Sequence, residues 1–155
     1  MIMRFTDLQQ IESVYMALAD RTRLRLLNMM RDDEICVCFF TEVLGESQPK
    51  VSRHLAYLRN AGLVEARRDG KWMHYSITIP NDPLAHRVLS ATLDWLDGLD
   101  DMRAEREKYR TVCCSPEALV QIARTPMPLI FDEADMIEER ESRSPSHNEL
   151  EEFLL

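Results

Sequence analysis

Gln48-Pro49-Lys50-Val51-Ser52-Arg53-His54-Leu55-Ala56-Tyr57-Leu58-Arg59-Asn60-Ala61-Gly62 is followed at once by Leu63-Val64-Glu65-Ala66-Arg67-Arg68-Asp69-Gly70-Lys71-Trp72-Met73-His74-Tyr75-Ser76-Ile77-Thr78-Ile79. The first stretch reads as a helix. Ser47 precedes it as cap, and Pro49 lies in the first turn, where a missing N–H is tolerated. Val51, Leu55 and Leu58 fall on one face at helical spacing. Gln48, Lys50, Ser52, Arg53, His54, Tyr57 and Arg59 are left for the other faces. Gly62 suits the left-handed position just past a helix end. The second stretch reads as a hairpin, Leu63 to Arg68 and Lys71 to Ile79, turning at Asp69-Gly70. Alternation sends Met73, Tyr75, Ile77 and Ile79 to one side. Arg67, Arg68 and Lys71 gather at the tip.

Working outward, Ile35 to Leu44 is a short apolar run that reads weakly as helix, joined to the next by Gly45-Glu46-Ser47. Two short helices with a tight turn between them, the second displaying hydrogen-bonding side chains, make the helix-turn-helix pattern. The hairpin then reads as a wing. Upstream, Thr6 to Leu18 carries Leu8, Ile11, Tyr15 and Leu18 on one face. Arg21 to Met30 carries Leu24, Leu27 and Met30, with Asp20 as cap. Downstream, Asp82 caps and Pro83 opens one long helix to about Tyr109. Its stripe is Leu84, Val88, Trp95, Leu99 and Met102. A small winged domain leaves such a stripe little to cover, so pairing with a second chain is its expected use. Ser115-Pro116-Glu117 opens a short helix to about Arg124. Leu129 to Arg140 reads as an acidic helix, and Ser142 to Ser146 as a flexible segment. The expected fold is mainly α: a winged helix-turn-helix with a two-stranded β-wing and a long dimerisation helix. Residues 1–110 form the DNA-binding and dimerisation domain, and residues 111–155 an acidic extension.

Composition agrees. The 155 residues suit one domain, and 45% hydrophobic with 30% charged residues suits a globular core. No apolar run reaches the ~18 residues of a membrane span. The opening Met1-Ile2-Met3-Arg4-Phe5 lacks the features of a secretory leader, so a cytoplasmic protein without membrane partners is expected. Its four cysteines are then free thiols. No G-x-G-x-x-G or P-loop occurs, and no cysteine is paired with an oriented histidine. Neither enzyme activity nor a cofactor is therefore expected, and no catalytic residue is assigned. The net charge of −8 is uneven: Met1 to Ile79 has 11 basic against 10 acidic residues, Pro80 to Leu155 has 8 against 17. Gln48 to Trp72 alone has 6 against 2. That local excess permits DNA contact at one place. Ser52, Arg53 and His54 are the expected readers of base edges, with Gln48 and Lys50 nearer phosphate and Tyr57 alongside. Arg67, Arg68 and Lys71 are the expected wing contacts.

Three motifs carry a resemblance. Ala17-Leu18-Ala19-Asp20-Arg21-Thr22-Arg23-Leu24-Arg25-Leu26-Leu27, the stretch Gln48 to Val64, and Arg67-Arg68-Asp69-Gly70-Lys71-Trp72-Met73-His74-Tyr75 together resemble the ArsR/SmtB family of winged-helix repressors over about Phe5 to Met102. The resemblance implies a homodimer on double-stranded operator DNA with two-fold related half-sites, released when a metal or metalloid binds. It also matches Ile35-Cys36-Val37-Cys38-Phe39 to the cysteine motif of the arsenite-responsive branch. That motif has a third cysteine where this chain has Thr41.

As(III) or Sb(III) is then the expected effector, and trivalent arsenic takes three thiolates. On a regular α-helix, residues two apart point about 200° apart, so Cys36 and Cys38 chelate one ion only if the helix start is irregular. Cys113 or Cys114 is the candidate third ligand, carried by the long helix toward the partner's Cys36 region. Two other readings of the thiols stand beside this one. Cys36 or Cys38 serves as a small buried hydrophobe, or the cysteines sense oxidants or persulfide in a repressor of the same fold. The family's zinc branch uses Asp and His on the long helix. Asp82 and His86 stand at i and i+4, but Asp94, Asp97, Asp100 and Asp101 follow without a histidine. Zinc is not expected, and Asp94 to Asp101 reads as a solvated face.

Overall fold

A computed structural model describes residues 8–117. The elements run α1 (Leu8–Leu18), α2 (Arg21–Met29), β1 (Ile35–Cys36), α3 (Val37–Leu44), α4 (Gln48–Asn60), β2 (Val64–Asp69), β3 (Trp72–Ile77), α5 (Pro83–Asp97) and α6 (Asp100–Cys113). The helix expected from Ser115 opens at Pro116 and Glu117, and the rest of it, the helix expected from Leu129 and the segment Ser142 to Ser146 lie outside the described residues, as does most of the extension assigned to 111–155. That extension begins inside α6.

Caps set the helix starts. Asp20 Oδ1 accepts from the backbone N–H of Arg23 at 3.0 Å. Asp82 Oδ1 accepts from those of Leu84 and Ala85 at 2.9 and 3.0 Å. Ser47 stands at the N-cap of α4 but makes no side-chain cap bond. Gly45 ends α3 at φ 66°, a left-handed conformation that favours glycine. The turn Gly45-Glu46-Ser47 then leads into α4, as the helix-turn-helix reading requires. Leu26, Leu27, Ile35, Phe40, Val51, Leu55, Leu58 and Leu63 form a fully buried core between these helices.

The wing forms, with Val64 opposite Ile77 and Asp69 opposite Trp72. The two loop residues are therefore Gly70 and Lys71, one position later than expected. Met73, Tyr75 and Ile77 turn toward the core, whereas Ile79 lies beyond the strand and is exposed. A third strand was not foreseen. Ile35 pairs with Tyr75 and Cys36 with His74, giving the antiparallel order β1-β3-β2. The run expected as one helix from Ile35 thus opens as strand, which suits a β-branched residue beside a free edge of β3.

The long helix is broken. α5 ends at Asp97, Leu99 is extended at φ −95°, ψ 127°, and α6 begins at Asp100. Gly98 is a poor helix former, and Asp100 and Asp101 favour a new N-terminus. Arg106 bonds back to Asp97, and Arg103 donates to the Asp97 carbonyl at 3.1 Å. Arg31 reaches Asp94 at 2.7 Å. Asp97, half-buried, therefore holds the bend, while Asp94, Asp100 and Asp101 are exposed as a solvated face requires. α6 folds back over the helix-turn-helix. Asn28 Nδ2 donates to the Met102 carbonyl at 2.8 Å, Arg25 Nε to Glu105 Oε1 at 2.6 Å, and Lys108 Nζ to the Val43 carbonyl at 2.9 Å.

Candidate functional site

α4 and the wing hold the basic side chains. Lys50 and Arg53 are exposed on α4, and Gln48 and Arg59 are half-buried. Lys50 Nζ lies 2.8 Å from Glu46 Oε1. On the wing, Arg67, Arg68 and Lys71 are all exposed. Arg67 Nε bonds Glu34 Oε1 at 3.1 Å, and that hydrogen bond holds the Glu34 carboxyl below its usual range. Lys71 Nζ sits 4.6 Å from the centre of the Trp72 ring.

The outer face of α4 is narrower than the sequence suggested. Ser52, His54 and Tyr57 are 2%, 5% and 6% exposed. They were expected to face DNA, and they point inward because α4 is packed on more than one side. The exposed set is Lys50 and Arg53, with Gln48 half-buried beside them. Gln48 Nε2 and Ser52 Oγ, one turn apart, are buried atoms without a hydrogen-bond partner. His54 and Tyr57 instead hold Arg23, a buried residue that the sequence reading did not single out. A signal was present: Arg23, Leu27 and Met30 share the i, i+4, i+7 spacing of a buried face.

The thiols form two pairs. Cys38 Sγ donates to Cys36 Sγ at 2.8 Å. Cys36 is still extended, at φ −69°, ψ 140°, and Cys38 is already in the first turn of α3. The strand-to-helix switch thus joins two side chains that a regular helix would separate. The Cys38 hydrogen bond, aided by the backbone N–H groups of Cys38 and Val37, outweighs burial and pulls Cys36 down to about 7. Cys38, which keeps the shared proton, is pushed up. One thiolate and one thiol share the site. Thr41, at the place of the family's third cysteine, donates to the Cys38 carbonyl at 2.7 Å.

The second pair ends α6. Cys113 Sγ and Cys114 Sγ are 3.7 Å apart, and both thiols are free. Tyr109, one turn earlier, meets Phe39 edge to face at 5.8 Å. Burial first, then the charges of Cys113, Asp33, Cys114 and Cys36, push the Tyr109 phenol up to about 12. The bend at Gly98 thus returns Cys113 and Cys114 toward α3 of their own chain. The path expected to carry them toward the partner's Cys36 region is therefore bent at Gly98 rather than straight. Among the described residues, no three His, Cys, Asp or Glu side chains are grouped to hold a metal ion. Asp82 is used as the cap of α5, and His86 is exposed.

The profile described as "Bacterial regulatory protein, arsR family" matches residues 20–66. The arsenic resistance transcriptional regulator ArsR1 of Pseudomonas putida is 44% identical over 88 residues, covering 54% of this chain and 69% of that protein. The arsenical resistance operon repressor of Escherichia coli is 46% identical over 100 residues, covering 64% of this chain and 78% of that protein. The chain belongs to the arsR family of bacterial regulatory proteins. The crystal structure of the transcriptional repressor BigR from Xylella fastidiosa aligns at TM-score 0.50 and 25% identity, over 59% of this chain and 88% of that one. As an arsR-family protein the chain is a winged-helix transcriptional regulator and not an enzyme. No helix among its described residues is long and apolar enough to cross a membrane.

Proposed function

We propose that this arsR-family protein is a homodimeric cytoplasmic repressor of two-fold operator DNA, released when As(III) or Sb(III) is taken by its thiols. The observation that carries the reading is the 2.8 Å Cys36–Cys38 pair at the start of α3, the first helix of the helix-turn-helix. The names of the two relatives above, both tied to arsenic resistance, support the effector. α4 enters the major groove with Arg53 on a base edge and Gln48 and Lys50 near phosphate. Arg67, Arg68 and Lys71 follow the backbone from the wing. Ser52, His54 and Tyr57 serve DNA binding from inside, by setting where α4 lies. Leu8, Ile11 and Tyr15 of α1, with Leu84 and Trp95 of α5, are exposed apolar side chains that support pairing with a second copy.

A trivalent arsenic or antimony centre is soft and accepts thiolates in place of their protons. Cys36 offers a thiolate near neutral pH, Cys38 gives up the shared proton, and Cys113 or Cys114 supplies the third sulfur from α6. α3 and α4 are joined only by Gly45-Glu46-Ser47, so a shift of α3 turns α4. Two recognition helices must lie about one DNA turn apart, which makes a small rotation costly.

The same thiol pair favours a second reading, a sensor of two-electron oxidants. A peroxide takes two electrons, Cys36 and Cys38 join as a disulfide, and the peroxide oxygens leave as water with the thiol protons. Native mass spectrometry of the reduced protein, with and without arsenite, tests the first reading. A dimer that gains one arsenic per chain and loses three protons for each is expected. A dimer that takes none overturns the arsenic reading, and peroxide-driven disulfide formation with loss of DNA binding then establishes the second.

A further inference from the structure

Arg23 is 2% exposed, among the largest buried side chains of the protein. A buried guanidinium is costly unless its donors are paired. Its Nε donates to the Ala17 carbonyl and one terminal nitrogen to the Met16 carbonyl, both at 2.8 Å. These carbonyls belong to the last turn of α1, where helix geometry leaves acceptors over. The other terminal nitrogen lies 3.4 Å from His54 Nδ1. An arginine N–H only donates, so Nδ1 accepts and the ring proton sits on Nε2. The guanidinium also lies 4.0 Å from the centre of the Tyr57 ring. His54 and Tyr57 are three apart on α4 and therefore neighbours on one face. Asp20 Oδ1, which caps α2, stands 3.6 Å from His54 Nδ1.

One side chain thus joins α1 to α4. The apolar side chains of α4, Val51, Leu55 and Leu58, are fully buried, and such contacts resist separation but do little to fix an angle. The Arg23 contacts are directional: two carbonyls, one ring nitrogen and one ring face meet a planar fork. α1 also carries Ile11 and Tyr15, exposed at 44% and 57%. We infer that Arg23 is a positioning residue that locks recognition helix α4 to dimer helix α1, and so sets the distance between the two recognition helices. The inference rests on the dimeric operator reading above. Arg23 touches no base. It acts through His54 and Tyr57, and its signature is the spacing of half-sites rather than their sequence.

The test is selection of sites from a random duplex DNA library by the full chain, with Arg23→Lys, His54→Leu and His54→Gln beside it. Circular dichroism and sedimentation confirm fold and dimer for each. The original protein is expected to return two half-sites at one spacing. Arg23→Lys keeps the charge but lacks the fork, and His54→Leu removes the acceptor. Both are expected to return the same half-site bases at scattered spacings, and to bind the original spacing about ten-fold more weakly. His54→Gln restores an acceptor and keeps the original spacing. If Arg23→Lys does not fold, the two His54 variants decide. Unchanged spacing in the folded variants overturns the inference, and so does a change in half-site bases with His54→Gln, which makes His54 a base reader. A chain that selects no two-fold site overturns the operator reading itself, and the inference with it.

Discussion

Cys36 and Cys38 hold their sulfur atoms 2.8 Å apart because the backbone changes from strand to helix between them. The pair owes its closeness to β1, and β1 exists because β3 offers it a free edge. A short wing with no third strand would let the helix continue backward, and the thiols would part.

The first prediction concerns protons. Thiolate absorbance of the reduced protein is expected to rise with a midpoint near 7, one thiolate per chain, from Cys36. Cys38→Ala removes the donated hydrogen bond and returns the midpoint toward the ordinary thiol value. Between about 7 and the ordinary 9.0 the unfolded chain holds more protons, so stability rises with pH and is lost as pH falls through 7. Above that window the retained Cys38 proton reverses the slope. Urea unfolding across pH, compared with Cys38→Ala, checks this. A flat profile contradicts the shared proton.

The second concerns the third sulfur. Thr41 lies one turn from Cys38 on α3. Thr41→Cys is expected to complete a three-thiolate set from Cys36 at the end of β1 and two residues of α3, and to make arsenite response independent of Cys113 and Cys114. In the unaltered chain, replacing both Cys113 and Cys114 by serine is expected to weaken arsenite binding while leaving DNA binding intact. Titration of operator complexes with arsenite reads both. Full response in the double serine variant removes α6 from the site.

The third separates the two classes of DNA contact. Arg53→Ala is expected to cost about 1–3 kcal/mol on the preferred site and to relax sequence preference. Lys71→Ala is expected to weaken all sites alike and to lower the salt slope by about 1. Binding to operator and random DNA over a range of salt distinguishes them. Equal loss on both DNAs for Arg53→Ala refutes its role as a base reader.

The fourth concerns the apolar face. Trp95 is 78% exposed, so Trp95→Glu leaves the fold of one chain undisturbed. It is expected to raise the dimer dissociation constant by at least about ten-fold, visible by sedimentation. An unchanged dimer places the interface elsewhere.

Much of the fold was legible from local signals. Asp20 and Asp82 are good caps, Gly45 and Gly62 good terminators, and the Asp69-Gly70 turn lies within one residue of its place. Such signals act over a few residues, so the order of residues is enough to read them. The motif around Cys36 and Cys38 was legible as a candidate for the same reason.

The tertiary structure alone decided the rest. β1 depends on a partner strand some forty positions away, and with it the distance between two sulfurs. The break at Gly98 is stabilised by Arg103 and Arg106 folding back, and by α6 finding Asn28, Arg25 and Val43 on distant helices. Periodicity cannot distinguish a stripe that continues from one that turns a corner. Nor can it show that His54 and Tyr57 face a buried arginine, because a polar side chain on α4 is inward or outward only by virtue of what packs against it. Local chemistry chose the helices, the wing and the thiols. Long-range packing chose which of their side chains meet.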